Sequence, residues 1–253
     1  GGINANGAPI TIEYNVITGN QADFGGGIAN LYGYIRYNTI SRNRAVRGGG
    51  GLYDCFCPLF EYNVVAFNET RYGGGTYMGT LNSFFSVFYG NQASGGGSAI
   101  YSSGNLENCI VWGNTGPGSA FIGAPGVYRY SLLQEMNNPS QGVFSADPLF
   151  ANPAQGDFHL LPGSPAIDAG DPSPRLNDAC QPPALGSERA DLGIYGGPGS
   201  CGHTPFSPRE VSRILQGALF TSLTDALLSD WNLDGVIDAA DLIHWRIAPP
   251  PRP

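Results

Sequence analysis

Ile12-Glu13-Tyr14-Asn15-Val16-Ile17-Thr18-Gly19-Asn20 is rewritten 23 residues later as Ile35-Arg36-Tyr37-Asn38-Thr39-Ile40-Ser41-Arg42-Asn43. Phe60-Glu61-Tyr62-Asn63-Val64-Val65-Ala66-Phe67-Asn68 is a third copy, after a step of 25. Residues 83–91 and 106–114 are the fourth and fifth, each 23 further on. Glycine runs at 25–27, 48–51, 73–75 and 95–97 follow the first four. Self-similarity at this period marks a stacked-repeat architecture. The copies lack the apolar period and composition of a helical repeat. They are short runs of Val, Ile, Tyr and Phe punctuated by Gly and Asn, which is strand-and-turn chemistry. A coil of about 23 residues holds three short strands and three turns. The sequence therefore predicts a mainly β fold, a parallel β-helix with coils about 4.8 Å apart.

In that fold, equivalent residues form columns along one axis. Ile12, Ile35, Phe60 and Leu106 share a core column, with Ser83 as its exception. Ile17, Ile40, Val65, Phe88 and Val111 share a second. Tyr14, Tyr37, Tyr62 and Phe85 align as an aromatic column, where rings can stack. Asn20, Asn43, Asn68, Asn91 and Asn114 form an unbroken asparagine column. Each amide there can bond its equivalent one coil away. The glycine runs suit corners of positive φ or close backbone approach.

The chain has 253 residues, enough for one elongated domain and a small one. It holds 38 glycines and 20 prolines, yet 42% hydrophobic residues argue against disorder. All twelve basic residues are arginine, and the net charge of −8 argues against nucleic acid as a partner. No apolar run is long enough for a membrane span. The chain opens without a signal peptide on Gly1-Gly2-Ile3, equivalent to Gly26-Gly27-Ile28. Two readings stay open: processing of a longer precursor, or an exposed first coil that pairs with another molecule, since a bare β-edge is a pairing template.

Beyond Asn114 the repeat loosens. Val127-Tyr128-Arg129-Tyr130-Ser131 reads as a further strand. Then come Asp147-Pro148-Leu149-Phe150, Gly156-Asp157-Phe158-His159-Leu160, Gly163-Ser164-Pro165-Ala166-Ile167-Asp168-Ala169-Gly170 and Arg189-Ala190-Asp191-Leu192-Gly193-Ile194-Tyr195-Gly196-Gly197. This series resembles the C-terminal coils of secreted bacterial right-handed β-helix proteins. The resemblance covers roughly residues 10–197. It implies a right-handed parallel β-helix over residues 1–205 and an extracellular or cell-surface setting. That superfamily includes polysaccharide lyases and hydrolases, adhesins and proteins without known activity, so function must come from the site.

Ser207-Pro208-Arg209-Glu210 starts a different pattern, a capping box with proline at the first helical position. Val211, Ile214, Leu215, Ala218 and Leu219 follow at helical spacing. Residues 206–247 are thus expected to form a small helical module, and 248–253 a polyproline-type tail. Within the module, Asp230, Asn232, Asp234, Asp238 and Asp241 fall at loop positions 1, 3, 5, 9 and 12, with Gly235 at 6. Val236, at position 7, offers its carbonyl. This spacing wraps hard oxygen ligands around one point, which suits Ca2+. The loop and the segment after it resemble one calcium half of a dockerin module. A full dockerin has two halves in tandem, and residues 206–229 contain no second loop.

No residue is assigned a catalytic role. Glu13, Arg36, Glu61 and Glu107 share a column, with Phe84 between the last two, and Arg44 aligns with Glu69. Glu13 and Glu61 lie two coils apart, about 9–10 Å, within or just beyond the range of glycosidase carboxylates. The arginine between them favours a cross-strand ion pair instead. His159, His203 and His244 show no zinc spacing. Asn68-Glu69-Thr70 is a glycosylation sequon, but Asn68 belongs to the ladder. Of five cysteines, Cys180 and Cys201 flank one irregular segment and are the expected bridge. Cys55, Cys57 and Cys109 are either buried small hydrophobes or intermolecular bridges.

Two functions follow as expectations. One is an extracellular structural protein that self-associates head to tail through its first coil and its calcium module. The other is a secreted protein that binds or degrades polysaccharide and is anchored through that module.

Overall fold

Val, Ile and Tyr at alternate positions, with Gly or Asn at each break, give strands too short to stand alone. They become stable by pairing in parallel with their equivalents one coil on. The computed structural model describes residues 1–122 and 126–202, which fall in one compact unit. Three parallel sheets of ten, seven and four strands build the described solenoid, which makes about six coils; the third spans only Gln21–Phe24 to Gln92–Ala93. One coil visits them in turn: Tyr32–Arg36 in the first sheet, Thr39–Ser41 in the second, Arg44–Gly48 in the third.

The registers follow the repeat. Ile12 pairs with Ile35, Ile35 with Phe60, Phe60 with Ser83 and Ser83 with Leu106. Ile17, Ile40, Val65, Phe88 and Val111 pair in succession in the second sheet. These columns fill the interior and are almost wholly buried. The one 25-residue step is absorbed by two bulges. Asp23 faces the two residues Val46 and Arg47, and Gly33 faces Cys57 and Pro58. Pro58 has no N–H to give, so a bulge is where a strand tolerates it.

The asparagine column is continuous. The Nδ2 atoms of Asn20, Asn43, Asn68 and Asn91 donate to the Oδ1 of the next asparagine at 2.9–3.0 Å. Each of those Oδ1 atoms also accepts the backbone N–H of the preceding asparagine. Gln134 ends the ladder, its Oε1 accepting the Asn114 N–H at 2.8 Å. A second ladder runs through Asn15, Asn38, Asn63 and Ser86.

Tyr14, Tyr37, Tyr62 and Phe85 stack with centroids 4.9–5.2 Å apart and planes within 3°. All four sit at positive φ, at the corner between the first and second sheets. That conformation costs an L-residue about 1–2 kcal/mol, and ring stacking returns a similar amount. Glycine is needed at the opposite corner. A Cβ on Gly50 would lie 2.7 Å from the carbonyl oxygen of Gly74, one coil on.

Two expectations change. Residues 127–131 do not form one strand; Tyr128–Arg129 belongs to the first sheet and Ser131–Leu133 to the second, with Tyr130 at φ 40° as the corner. The later segment does not continue the stack as coils. After Val143–Phe144 pairs with the second sheet, the chain folds back over that sheet's outer face. Phe150, Phe158, Leu160, Ala166, Leu192 and Ile194 cover Val64, Val87, Ile110 and Leu132. Phe150–Asn152 and Asp157–Leu160 form an antiparallel hairpin within this cover. The physical reason is the outward column of the second sheet, which is apolar from Val64 onward and needs burial.

Candidate functional site

The outer faces of the solenoid carry its charges. On the first sheet, Arg36 is flanked by Glu13 and Glu61 because the three occupy one register position. The Arg36 Nε and Nη2 both donate to Glu13 Oε1, at 2.9 and 2.7 Å, and Nη1 lies 3.9 Å from Glu61 Oε1. Glu13 raises the pKa of Arg36 through that hydrogen bond. Burial pushes Glu61 up, and Arg36 pulls it back. The two carboxylates are thus joined by a shared guanidinium, with no room between them for an acid and a base acting in concert. Glu107 pairs with Phe84 in the same column, and burial raises its pKa.

The third sheet carries a different arrangement. Gln21, Arg44, Glu69 and Gln92 occupy one register position on four successive strands. They line a groove of about 760 Å3, together with Arg71 and Ser94. Arg44 and Glu69 approach to 3.7 Å, and both side chains are more than half exposed.

The folded-back segment gathers Asp168, Asp178 and Asp191. The Asp191 carboxylate accepts the N–H groups of Asp168 and Leu185, both at 2.8 Å, and Asp178 accepts that of Asp191 at 3.1 Å. Burial is the main cause that raises Asp178 to about 7 and Asp191 to about 6. Arg189 nearby donates to the Gly170 carbonyl. These carboxylates satisfy turn N–H groups that strand pairing leaves over. Tyr62 Oη likewise accepts the Gly199 N–H at 2.8 Å. Cys180 and Cys201 form the expected disulfide, with Cα atoms 5.2 Å apart.

Cys55, Cys57 and Cys109 are buried free thiols, and burial raises Cys55 to about 12 and Cys109 to about 11. Asn68 is fully buried with its amide bonded on both sides. His159 Nδ1 lies 2.6 Å from Asp157 Oδ1, and its ring stacks on Tyr195 at 3.9 Å. The calcium loop, Asp230, Asn232, Asp234, Val236, Asp238 and Asp241, lies outside the described residues, as do the module 206–247, the tail 248–253, His203 and His244. Among the described residues no group of His, Cys, Asp and Glu is placed to hold a metal ion. Among them, too, no helix is long and apolar enough to cross a membrane.

Two features were not expected from the sequence, the second amide ladder and the groove. The first was visible as the recurring pairs Tyr14-Asn15, Tyr37-Asn38 and Tyr62-Asn63. The second was not legible: Gln21, Arg44, Glu69 and Gln92 can be aligned by counting, but the concave surface beside them cannot.

Compared with known proteins, residues 85–103 match the Chlamydia polymorphic membrane protein repeat. No curated protein and no solved structure matches the chain. The matched stretch runs from Phe85 of the aromatic column through Asn91 and the glycine corner to the next strand of the first sheet. It is most of one coil of the solenoid, and the match fits a β-helix protein.

Proposed function

We propose that this chain is an extracellular structural protein, a β-helix scaffold displayed on or released from a bacterial surface, whose copies associate head to tail. One observation carries the structural reading. The asparagines, tyrosines and paired charges of the solenoid are bonded to their own equivalents in neighbouring coils. Such ladders hold coils in register along an axis. The surface or secreted setting is supported by the match to the polymorphic membrane protein repeat. Head-to-tail association is supported by the chemistry of a rung. Every coil presents the same row of N–H and C=O groups to the next, so a rung without a neighbour is a template for another copy. The calcium reading rests on ligand spacing alone: Asp230, Asn232, Asp234, Val236, Asp238 and Asp241 would bind Ca2+ and fold the module at 206–247.

Electron microscopy and light scattering of the purified chain, with calcium and with chelator, test this reading. Filaments that shorten or vanish in chelator are expected. A monomer at high concentration in calcium would remove the assembly part.

A second reading, a secreted polysaccharide-binding or -degrading protein, is favoured by one observation. Tyr32, Tyr34 and Phe56 on the first sheet are about half exposed and offer ring faces to sugars. Its test is polysaccharide binding by the parent and by Tyr32→Ala with Phe56→Ala: weaker binding by the variant supports the reading, and equal binding by both removes it.

A further inference from the structure

We infer that Tyr53, Tyr72, Tyr77 and Tyr101 form a site for oxidative cross-linking, where a peroxidase using hydrogen peroxide joins phenols of neighbouring coils as dityrosine. Tyr53, Tyr77 and Tyr101 occupy one register position on three successive strands of the first sheet. Tyr72 reaches the same corner from the end of the third sheet, where it is bridged to Gly48. Tyr77 is the centre. Its ring centroid lies 5.0 Å from that of Tyr101, 6.0 Å from Tyr53 and 6.1 Å from Tyr72. Tyr72 and Tyr101 are themselves 6.1 Å apart. The glycine corner makes room for the cluster: a Cβ on Gly73 would lie 2.6 Å from the Cβ of Tyr77, and one on Gly48 would meet its ring. All four tyrosines are partly exposed, so a small oxidant reaches them and water takes their protons.

Geometry selects this cluster over the other aromatic column. Dityrosine joins the two carbons ortho to the hydroxyls, so the edge of one ring must reach the other. Tyr77 and Tyr101 meet edge to face with planes 70° apart, and Tyr72 and Tyr101 with planes 76° apart. A turn about the side-chain torsions of such rings brings ortho carbons together. In the column Tyr14, Tyr37 and Tyr62 the planes lie within 3°, so faces meet instead of edges, and Tyr62 is buried. Burial raises the pKa of Tyr77, and the phenols of Tyr101, Tyr53 and Tyr72 add to the effect. The group is therefore neutral at neutral pH and gives up its proton together with its electron. Two phenols each lose one electron and the hydroxyl proton. The radicals couple through one new C–C bond, and the two ring hydrogens displaced there pass to the two oxygens. The O–O bond of the peroxide breaks, takes up two electrons and two protons, and leaves as two waters. The free thiols Cys55, Cys57 and Cys109 are buried and do not compete for the oxidant. The product fastens one coil to the next by a covalent bond beside the hydrogen-bonded ladders. It needs neither calcium nor association of copies, and so goes beyond the scaffold reading.

The test treats the dilute full chain with hydrogen peroxide and a haem peroxidase, and reads dityrosine fluorescence, a denaturing gel and peptide mass spectrometry. A product of monomer size is expected, two hydrogens lighter than the parent, with Tyr77 linked to Tyr53, Tyr72 or Tyr101. It should melt at a higher temperature than the untreated chain, because a bond between residues 24 apart, Tyr77 to Tyr101, restricts the unfolded state. Tyr77→Phe keeps the ring and should lose most of the fluorescence and the gain in melting midpoint. Tyr14→Phe should leave both unchanged. The proposal is overturned by an absence of dityrosine, by links found only between molecules, by links confined to Tyr14 and Tyr37, by a linked chain that melts like the untreated one, or by a Tyr77→Phe variant that fluoresces like the parent.

Discussion

Replacing Asn68 with alanine removes the middle of the asparagine ladder. The Asn68 Nδ2 donates to Ile40 O and to Asn91 Oδ1, both at 2.9 Å. Its Oδ1 accepts the Asn43 N–H and the Asn43 Nδ2, both at 3.0 Å. The side chain is fully buried, so water cannot replace it. The Asn43 backbone N–H loses its acceptor, at about 1–3 kcal/mol, and three further bonds go at a net of about 1 kcal/mol or less each. Together these predict a loss of about 3–5 kcal/mol. Asn20 is the control. Its Nδ2 donates to Asn43 Oδ1 at 3.0 Å and Thr18 O at 3.3 Å from a partly exposed position, where water can substitute. Asn20→Ala should cost about 1 kcal/mol or less. Urea unfolding followed by circular dichroism, with both variants at one pH, measures the difference. A gap of at least about 2 kcal/mol is expected, or about 4–8 °C in melting midpoint. If Asn68→Ala is no worse than Asn20→Ala, the ladder does not hold the coils together.

Stability should fall as pH rises from about 4 to about 7. Asp191 and Asp178 keep their protons in the folded chain up to about 6 and about 7, whereas the unfolded chain releases them near 4. The folded state therefore binds more protons across that window, and Asp191→Asn should flatten the dependence of melting midpoint on pH. Gly50→Ala should destabilise severely, because the new Cβ would lie 2.7 Å from Gly74 O and 2.9 Å from the backbone of Glu69. Gly156→Ala, at φ 88° but with open space around it, should cost only about 1 kcal/mol; thermal melts separate the two. The three free thiols should resist a thiol reagent at pH 8 and react together once guanidinium unfolds the chain, since burial raises Cys55 to about 12 and Cys109 to about 11. Expressed in a glycosylating host, the chain should show no glycan at Asn68 by mass spectrometry, because both amide hydrogens are bonded.

The solenoid was legible because its period is nearly constant, so equivalence in sequence is adjacency in space. Ile17 over Ile40 and Tyr37 over Tyr62 required only counting. Two features escaped the count. The bulges opposite Asp23 and Gly33 shift part of a coil but leave both Arg36–Glu61 and the row Gln21, Arg44, Glu69, Gln92 in line, so both rows could be counted, while the hollow beside the second could not. The folded-back cover was hidden because its residues do not repeat. The clue lay in its partner: Val64-Val65, Val87-Phe88, Ile110-Val111 and Leu132-Leu133 put apolar side chains on both faces of the second sheet. A sheet apolar on both faces must be covered on both. The first coil differs: Val16, at the same position as Val64, is 53% exposed. Among the candidate sites, the Glu13–Arg36–Glu61 column was readable from register alone, while the raised pKa values of Asp178 and Asp191 depend on burial by non-repeating chain.

An experimental density map of the native chain tests the register of the coils most directly. Asn20, Asn43, Asn68, Asn91 and Asn114 should lie in one line, each amide within about 3 Å of the next. A map that scattered those five residues, or turned their amides to solvent, would contradict the account.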